Sequence, residues 1–348
     1  MKNCLVTGGC GFIASHFIRQ LLEKDPHVTV VNLDLLTYAG NPDNLADIKS
    51  NRYHFQQGDI NDSALVEGLL NGYSIDTVVN FAAESHVDRS IMEPEIFLRT
   101  NVMGTFTLLE AARKCWKGLQ DVRLHHISTD EVYGSLGPKD PAFTEETRYD
   151  PSSPYSASKA AADHLVRAYH RTYHMPVTIS NCSNNFGPNQ YPEKLIPLGI
   201  LLSEAGKPIQ IYGDGLQRRD WLYVEDHCEA ILGILEKGKV GETYNIGGDN
   251  ERTNLDVAEE IRSRVSVALK RRCPDVEFVK DRPGHDARYA INFSKLYKDT
   301  GWLPRHSLSE GIRKTVDWYL SNKSWVEAVQ KKKEYGDWMV RQYAGGKS

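Results

Sequence analysis

The short apolar run "NCLVTG", closed by the glycine-rich "GGCG" and followed by the amphipathic "SHFIRQLLEK" and a second apolar run "VTVVNLD", restricts this chain more than any other stretch. Strand, tight turn, helix and strand in that order need a crossover, and a helical crossover makes the two strands parallel and covers one face of their sheet. The alternation goes on. "SALVEGLLNG" reads as a helix, "DTVVNFAA" as a strand, "NVMGTFTLLEAARK" as a helix and "VRLHHIST" as a strand. "SASKAAADHLVRAYHRTY" is a long helix, and "VTISNCSN" a further strand. This pattern predicts a parallel sheet with helices on both faces, whose ligands lie beyond the carboxyl ends of the strands.

After about residue 181 the organisation changes. Loops rich in Asn, Pro and Gly, such as "NCSNNFGPNQYPEK", "YGDGLQRRD" and "KDRPGHDARY", are separated by single strands or helices. The expectation is an α/β chain with a Rossmann-type doubly wound sheet in residues 1–180 and a smaller α+β, ligand-facing part in 181–348. Residues 220–240, containing "WLYVEDHCEAILGILEKG", are expected to pack back on the first part. Near the end, Trp325, Val326, Val329, Tyr335, Trp338, Met339 and Tyr343 fall near helical spacing, and "KKK" at 331–333 reads as a solvated face.

In "LVTGGCGFIAS", Gly8 and Gly11 fit the first two glycines of a phosphate-binding turn, and Ala14 stands in the third place, which needs only a small residue. The helix that opens there presents N–H groups to an anion. The turn by itself also fits an ordinary strand-to-helix connection. Asp34 shifts the balance, because it ends the next strand, where a carboxylate accepts hydrogen bonds from an adenosine ribose. No Arg follows in "LDLLTYAG", which argues for NAD over NADP. Asp59 in "GDI" is placed to meet the adenine, and "NFAAESH" (80–86) to lie beside ribose and nicotinamide.

Tyr155 and Lys159 are spaced i, i+4 and share one helix face, with Ser152 or Ser153 as cap and Pro154 in the first turn. A tyrosine, whose ordinary pKa is about 10, becomes a usable base when an ammonium and a nicotinamide cation stabilise its phenolate. The stretch "HISTDEVYG" adds Thr129, Asp130 and Glu131 at a strand end. Two adjacent carboxyls raise one another's pKa, which suits a neutral acid beside an ionised base. The same residues fit a capping box, with Ser128 as N-cap and Glu131 three residues on; the two readings are compatible.

A net charge of -4 with interspersed signs excludes a broad nucleic-acid or membrane footprint. No apolar run reaches the roughly 20 residues that span a bilayer. "MKNCLVTGG" has no signal-peptide layout, and the six scattered cysteines lack metal-ligand spacing, so a reduced cytoplasmic chain without a metal is expected. His125 and His126 read as structural. His86 lies near the site without an assigned role, and Arg219 in "RDW" reads as a phosphate contact beside Arg218.

The stretches "TGGCGFIASH", "AAESHVDRSI", "STDEVYG", "PYSASKAAADHLVRAYHRTY", "NCSNNFGP", "PEKLIP", "YGDGLQRRDWLYVEDHCEAI" and "DRPGHDARYA" together resemble the dTDP-glucose 4,6-dehydratase family of the extended short-chain dehydrogenases/reductases. The resemblance covers nearly the whole chain. It implies tightly bound, recycled NAD, a nucleotide-sugar substrate and a homodimer formed through helices around 101–114 and 155–173. It implies that Tyr155 and Lys159 serve oxidation at sugar C4, that Thr129 holds the C4 oxygen, that Glu131 takes the C5 proton and that Asp130 protonates the departing C6 hydroxyl.

Cofactor contacts are implied for Gly8, Gly11, Phe12 and Ile13 in the turn, and for Asp34, Leu35, Thr37 and Gly40 after the second strand. Further along, Asp59, Ile60, Phe81, Ala82, Ala83, Ser85, Thr100 and Asn185 join Tyr155 and Lys159. Substrate contacts are implied for Ser85, Thr129, Asn184, Lys194 and Leu195, then for Tyr212, Arg219 and Asn254, and for Arg282, His285 and Tyr289. Phe186, in place of the family's usual tyrosine, and the additional Arg218 leave the nucleobase open between dTDP and another base. A 4-epimerase on a UDP- or GDP-linked sugar shares the glycine turn, Tyr155 and Lys159 but needs no Asp130/Glu131 pair. A non-catalytic NAD sensor needs neither Tyr155 nor Lys159.

Overall fold

The computed structural model describes residues 1–281, 285–333, 335–337 and 339. Its strands are β1 Asn3–Thr7, β2 Thr29–Asp34, β3 Tyr53–Gln57, β4 Thr77–Asn80, β5 Arg123–Thr129 and β6 Val177–Cys182, then β7 Asn184–Phe186, β8 Gln210–Tyr212, β9 Arg218–Tyr223, β10 Thr243–Ile246, β11 Glu251–Thr253 and β12 Glu277–Val279. Seven of them form one sheet in the order β10-β6-β5-β4-β1-β2-β3. Every neighbouring pair in it is parallel. This is the Rossmann-type α/β architecture expected from the alternation of apolar runs. Strand β10, from the second half of the chain, closes the β6 edge; its four buried residues have no local pattern that distinguishes them from a loop.

Because β1, β2 and β4–β6 are buried on both sides, helices must cover both faces. The helices Phe12–Lys24 and Val224–Lys237 lay Phe17, Ile18, Leu21, Ile231 and Ile234 on one. The helices Ser63–Gly72, Thr105–Cys115 and Pro154–Tyr173 lay Val66, Leu109 and Val166 on the other. Each such side chain, fully buried, contributes roughly 1.5–3 kcal/mol. The helix expected from residue 101 starts differently, with a π-helical turn at Leu98–Gly104. There the Asn101 side chain is used for loop contacts and Thr105 Oγ1 donates to its carbonyl at 2.7 Å.

Two small sheets, β11-β9-β7 and β12-β8, and a separate apolar core built from Ile200, Trp221, Ile261, Ile312 and Tyr319 form the second part. Trp325, Val326, Val329 and Tyr335 join this core, whereas Trp338 and Tyr343 lie outside the described residues. The order of the large sheet reverses around β1, whose neighbours are β2 on one side and β4 on the other, so a crevice opens beyond their carboxyl ends. No described helix is long and apolar enough to cross a membrane. All six cysteines are free, and no cluster of His, Cys, Asp and Glu suited to a metal ion occurs among the described residues.

The two cores are tied by Asp226, a buried acid of the helix Val224–Lys237. Its Oδ2 accepts the backbone N–H of Arg305 and His306 at 3.0 and 2.9 Å, and its Oδ1 meets His306 Nδ1 at 2.8 Å. The hydrogen bond from Asp226 raises the imidazole pKa above its ordinary value. A raised native pKa means that this contact stabilises fully below the unfolded pKa of about 6.5 and loses its effect as pH rises through the native value. Thermal unfolding of His306→Gln is therefore expected to show its largest deficit against the parent near about pH 5.5, shrinking toward about pH 9.

Candidate active site

The crevice is a cavity of about 510 Å³ that runs from the glycine turn, past the ends of β1, β2, β4 and β5, to β7–β9 of the second part. Gly8 sits at φ +68°, and a Cβ there would lie 2.9 Å from the Ala82 backbone. Only glycine lets the two strand ends approach this closely. Gly11 caps the helix Phe12–Lys24 with no side-chain hydrogen bond. Phe12, Ile13 and Ala14 line the cavity at that helix end. Asp34 is buried, with Oδ2 accepting from Cys10 N at 2.8 Å and Oδ1 from Leu36 N at 2.7 Å. Burial pushes its carboxyl up, against those hydrogen bonds and the charge of Lys332.

A cradle that tolerates no Cβ, a helix N-terminus uncapped by any side chain and a carboxylate at the cavity wall fit a dinucleotide. Leu35, Thr37, Gly40, Asp59 and Ile60 line the same end of the cavity. Phe81, Ala82, Ala83, Ser85, Thr100 and Asn185 continue the wall toward Tyr155 and Lys159. Gly8→Ala forces left-handed backbone on a side chain, costing about 1–2 kcal/mol, before the contact with Ala82. A loss of NAD affinity of roughly tenfold or more is the expected outcome in a binding titration.

Strand β5 delivers the acids. Thr129 Oγ1 accepts the N–H of Glu131 at 3.3 Å and caps a single 3-10 turn, Asp130–Tyr133, which Gly134 ends at φ +86°. The expected cap, Ser128, is corrected by this arrangement. Successive strand residues face opposite sides, and Ser128 points inward, its hydroxyl donating to Asp163 Oδ2 at 2.9 Å. Asp130 is 2% exposed, and its Oδ2 has no hydrogen-bond partner among the described residues. Burial lifts its pKa well above the ordinary carboxyl range; the Glu131 and Asp220 charges add to this, and Arg219 and the Thr129 hydroxyl oppose it. Glu131 is half-buried and lines the cavity.

The helix Pro154–Tyr173 begins with Pro154 and a reciprocal cap between Ser153 and Ser156, while Ser152 donates to Asp286 instead. Tyr155 is buried edge-on against Phe97, ring centres 6.3 Å apart. Burial, then the charges of Glu131 and Cys182, raise its pKa well above 10, and the Thr129 hydroxyl opposes them. Lys159 Nζ donates to Ile127 O at 2.6 Å. Burial lowers its pKa to about 8, with Asp163 pulling the other way.

At the far end of the cavity, Asn184, Lys194, Leu195, Tyr212, Arg219, Asn254 and His285 come together from six segments of the chain. Tyr289 does not line the cavity but packs against a residue that does, with the Arg219 guanidinium 4.3 Å over its ring. Arg282 lies outside the described residues. Phe186 is packed against Trp221 and Tyr223 in the second core, and Arg218 is half-exposed near Glu251. Neither residue lines the cavity, so the two departures leave its wall unchanged.

Several groups at the site carry no local signal. Glu84 and Glu193 line the cavity, both buried. Burial brings Glu84 up to about 7, against the nearby Arg89. Tyr38 donates to Glu193 at 3.0 Å, and Arg89 stacks on its ring at 3.7 Å. His86 caps the helix Val87–Met92 through Arg89 N, with its other nitrogen 3.9 Å from Glu193. Within the "KKK" run, Lys331 and Lys333 are exposed, but Lys332 turns inward to donate to Tyr38 O and Gly40 O. His125 lies between the hydroxyls of Thr178 and Ser180.

The family described as GDP-mannose 4,6 dehydratase matches residues 5–315. A dTDP-glucose 4,6-dehydratase of Neisseria gonorrhoeae is 54% identical over 336 residues, covering 93% of this chain and 97% of the relative. The dTDP-glucose 4,6-dehydratase of Bacillus anthracis, solved in complex with NAD, superposes with a TM-score of 0.86 at 45% identity, covering 94% of this chain and 100% of that one. The corresponding Streptomyces venezuelae enzyme, also with NAD bound, gives 0.87 at 44%, covering 94% and 99%. With a glycine turn, an acid pair and a Tyr-Lys helix around one cavity, the chain belongs to the dTDP-glucose 4,6-dehydratase family.

Proposed function

We propose that this enzyme converts dTDP-glucose to dTDP-4-keto-6-deoxyglucose as an NAD-dependent hydro-lyase. The observation that carries the reading is the pair of adjacent carboxyls in unlike surroundings, Asp130 fully buried and Glu131 half-buried, in the cavity that holds Tyr155. NAD, which the Gly8–Gly11 turn and Asp34 would hold, would supply reversible hydride transfer between C4 and C6. Tyr155 takes the C4 hydroxyl proton, the Lys159 ammonium stabilises the phenolate, and the Thr129 hydroxyl holds the C4 oxygen. A C4 ketone acidifies the C5 hydrogen, which Glu131 removes. Asp130, held neutral by burial and by its neighbour's charge, gives its proton to the C6 hydroxyl, which leaves as water. Glu131 then returns its proton to C5.

Lys194 and Arg219 supply positive charge for the diphosphate, and Asn184 and Asn254 supply amides for the nucleotide. In this division of labour, residues 1–180 with 220–240 hold the dinucleotide, and 181–348 mainly hold the nucleotide sugar. C4-deuterated dTDP-glucose tests the reading. Deuterium at C6 of a 4-keto-6-deoxy product supports it. Return to an inverted C4 supports a 4-epimerase, and unchanged substrate a sensor. Comparing the thermal shifts caused by dTDP, UDP and GDP tests the base.

Two copies associate through the helices at 101–114 and 155–173. The exposed Leu98, Met103, Phe106 and Tyr173 support that face. Sedimentation of the parent as a dimer, and of Met103→Glu as a monomer, is the expected outcome. The protein works in the cytoplasm, a reading supported by its six free cysteines.

A further inference from the structure

Beneath the Tyr155-Lys159 pair lies a buried acid with no part in the steps above. Asp163 is one turn past Lys159 on the helix Pro154–Tyr173 and is 0% exposed. Its Oδ2 accepts from Ser128 Oγ at 2.9 Å and from Tyr149 OH at 2.8 Å. Its Oδ1 faces His126 Nε2 at 3.5 Å. His126 Nδ1 meets the Asn80 amide nitrogen at 3.1 Å, and Asn80 Oδ1 accepts from Thr7 Oγ1 at 2.7 Å. With Nδ1 accepting from that amide, the neutral imidazole carries its proton on Nε2, toward the acid. Asp163 Oδ2 thus accepts two hydrogen bonds, which favour the carboxylate, while Oδ1 faces the imidazole without a hydrogen bond among the described residues.

We propose that Asp163 is a positioning residue for proton abstraction, a buried countercharge that keeps Lys159 an ammonium beneath Tyr155. The inference rests on the proposed function, in which the phenolate of Tyr155 is the base. Two isolated buried charges would each revert to the neutral form. Burial raises the Asp163 carboxyl and lowers Lys159; each charge, one helical turn from the other, opposes the shift of its neighbour, and Arg167, donating to the Tyr149 hydroxyl at 2.7 Å, also favours the carboxylate. The groups around the pair are His126 and Ser128 from β5, Tyr133 from the 3-10 turn, Tyr149 from the preceding loop, Arg167 on the same helix and Cys182 from β6. Glu131, Asp130 and Cys182 face Tyr155 and oppose its ionisation. Burial lowers Lys159 and the Asp163 charge opposes that, leaving it at about 8. Without that charge the ammonium is lost near neutral pH, and Tyr155 loses its one adjacent cation on this helix.

The test uses holoenzyme Asp163→Asn, which is nearly isosteric and keeps an acceptor for Ser128 and Tyr149. Lys159 is titrated by NMR of lysine labelled with carbon-13 at Cε, assigned with Lys159→Arg, and C4 oxidation is followed as NADH absorbance across pH. The Lys159 midpoint is expected to fall by about one pH unit or more. The acid limb of C4 oxidation should move up, and the rate at neutral pH should drop roughly tenfold with KM unchanged. Tyr149→Phe removes one donor from the carboxylate and should move both in the same direction by less. A folded Asp163→Asn with both curves at the parent positions, or with activity lost equally at every pH, overturns the proposal. If that variant does not fold, unmoved curves in Tyr149→Phe overturn it. Failure of the parent to form NADH from dTDP-glucose refutes the functional reading instead, while the Lys159 titration still reports on Asp163.

Discussion

Replacing Tyr155 by phenylalanine should lower turnover by roughly 10²–10⁴-fold, the usual worth of a positioned acid or base. KM for dTDP-glucose should change little. The phenol lies buried against Phe97, and the phenyl ring that replaces it keeps that packing. The lost oxygen is the only atom removed, so the effect should sit in the first chemical step. Rapid mixing of Tyr155→Phe holoenzyme with substrate should show no NADH absorbance before product, whereas the parent should show a transient. A variant that forms NADH at the parental rate would mean that another group takes the C4 hydroxyl proton. Glu131 would then be the first candidate, since its charge acts on Tyr155.

Glu131→Gln should separate the same reaction at a later point. C4 oxidation needs Tyr155, Lys159 and Thr129, all of which remain, so NADH should form and persist. Elimination needs a base at C5, and product formation should fall by roughly 10²–10⁴-fold. Persistent NADH absorbance with little 4-keto-6-deoxy product is the expected signature. The glutamine still receives nothing less at its backbone, whose N–H goes to Thr129 Oγ1, so the 3-10 turn should hold. The substitution also removes a charge that lifts Asp130. Product at the normal rate in this variant would show that the C5 base has been assigned to the wrong residue.

Much of the fold was legible because a parallel sheet and its helices are written in local periods. The strands from "NCLVTG" to "VTISNCSN" and the helices between them follow from apolar runs of strand length alternating with amphipathic ones. Strand β10 was not legible, since four buried residues between loops carry no period of their own. The π-helical turn at Leu98–Gly104 escaped for a related reason: the periodicity continues through it, while its Asn101 bonds to Glu84 and Ser158, far away in the chain. The cap at "STDE" was misplaced by one residue because Ser128 and Thr129 are chemically equivalent caps. Which of them faces inward depends on Asp163, thirty-five positions away in the chain.

The candidate site divides along the same line. Gly8 with Gly11, and Tyr155 with Lys159, stand about one turn of backbone apart, and Asp34 ends the next strand, so residue type and position pointed to them. By itself, the sequence determined the parallel sheet, the dinucleotide turn and the presence of an acid pair at the end of β5. Only the tertiary structure decided that Asp130 is the buried member and Glu131 the more open one, that Tyr289 packs against Arg219, and that Lys332 reaches the loop after Asp34. It alone brought Asp163 and His126 under Lys159. The physical reason is that burial and charge come from everything packed around a group, and those neighbours are drawn from strands and loops far apart in the chain.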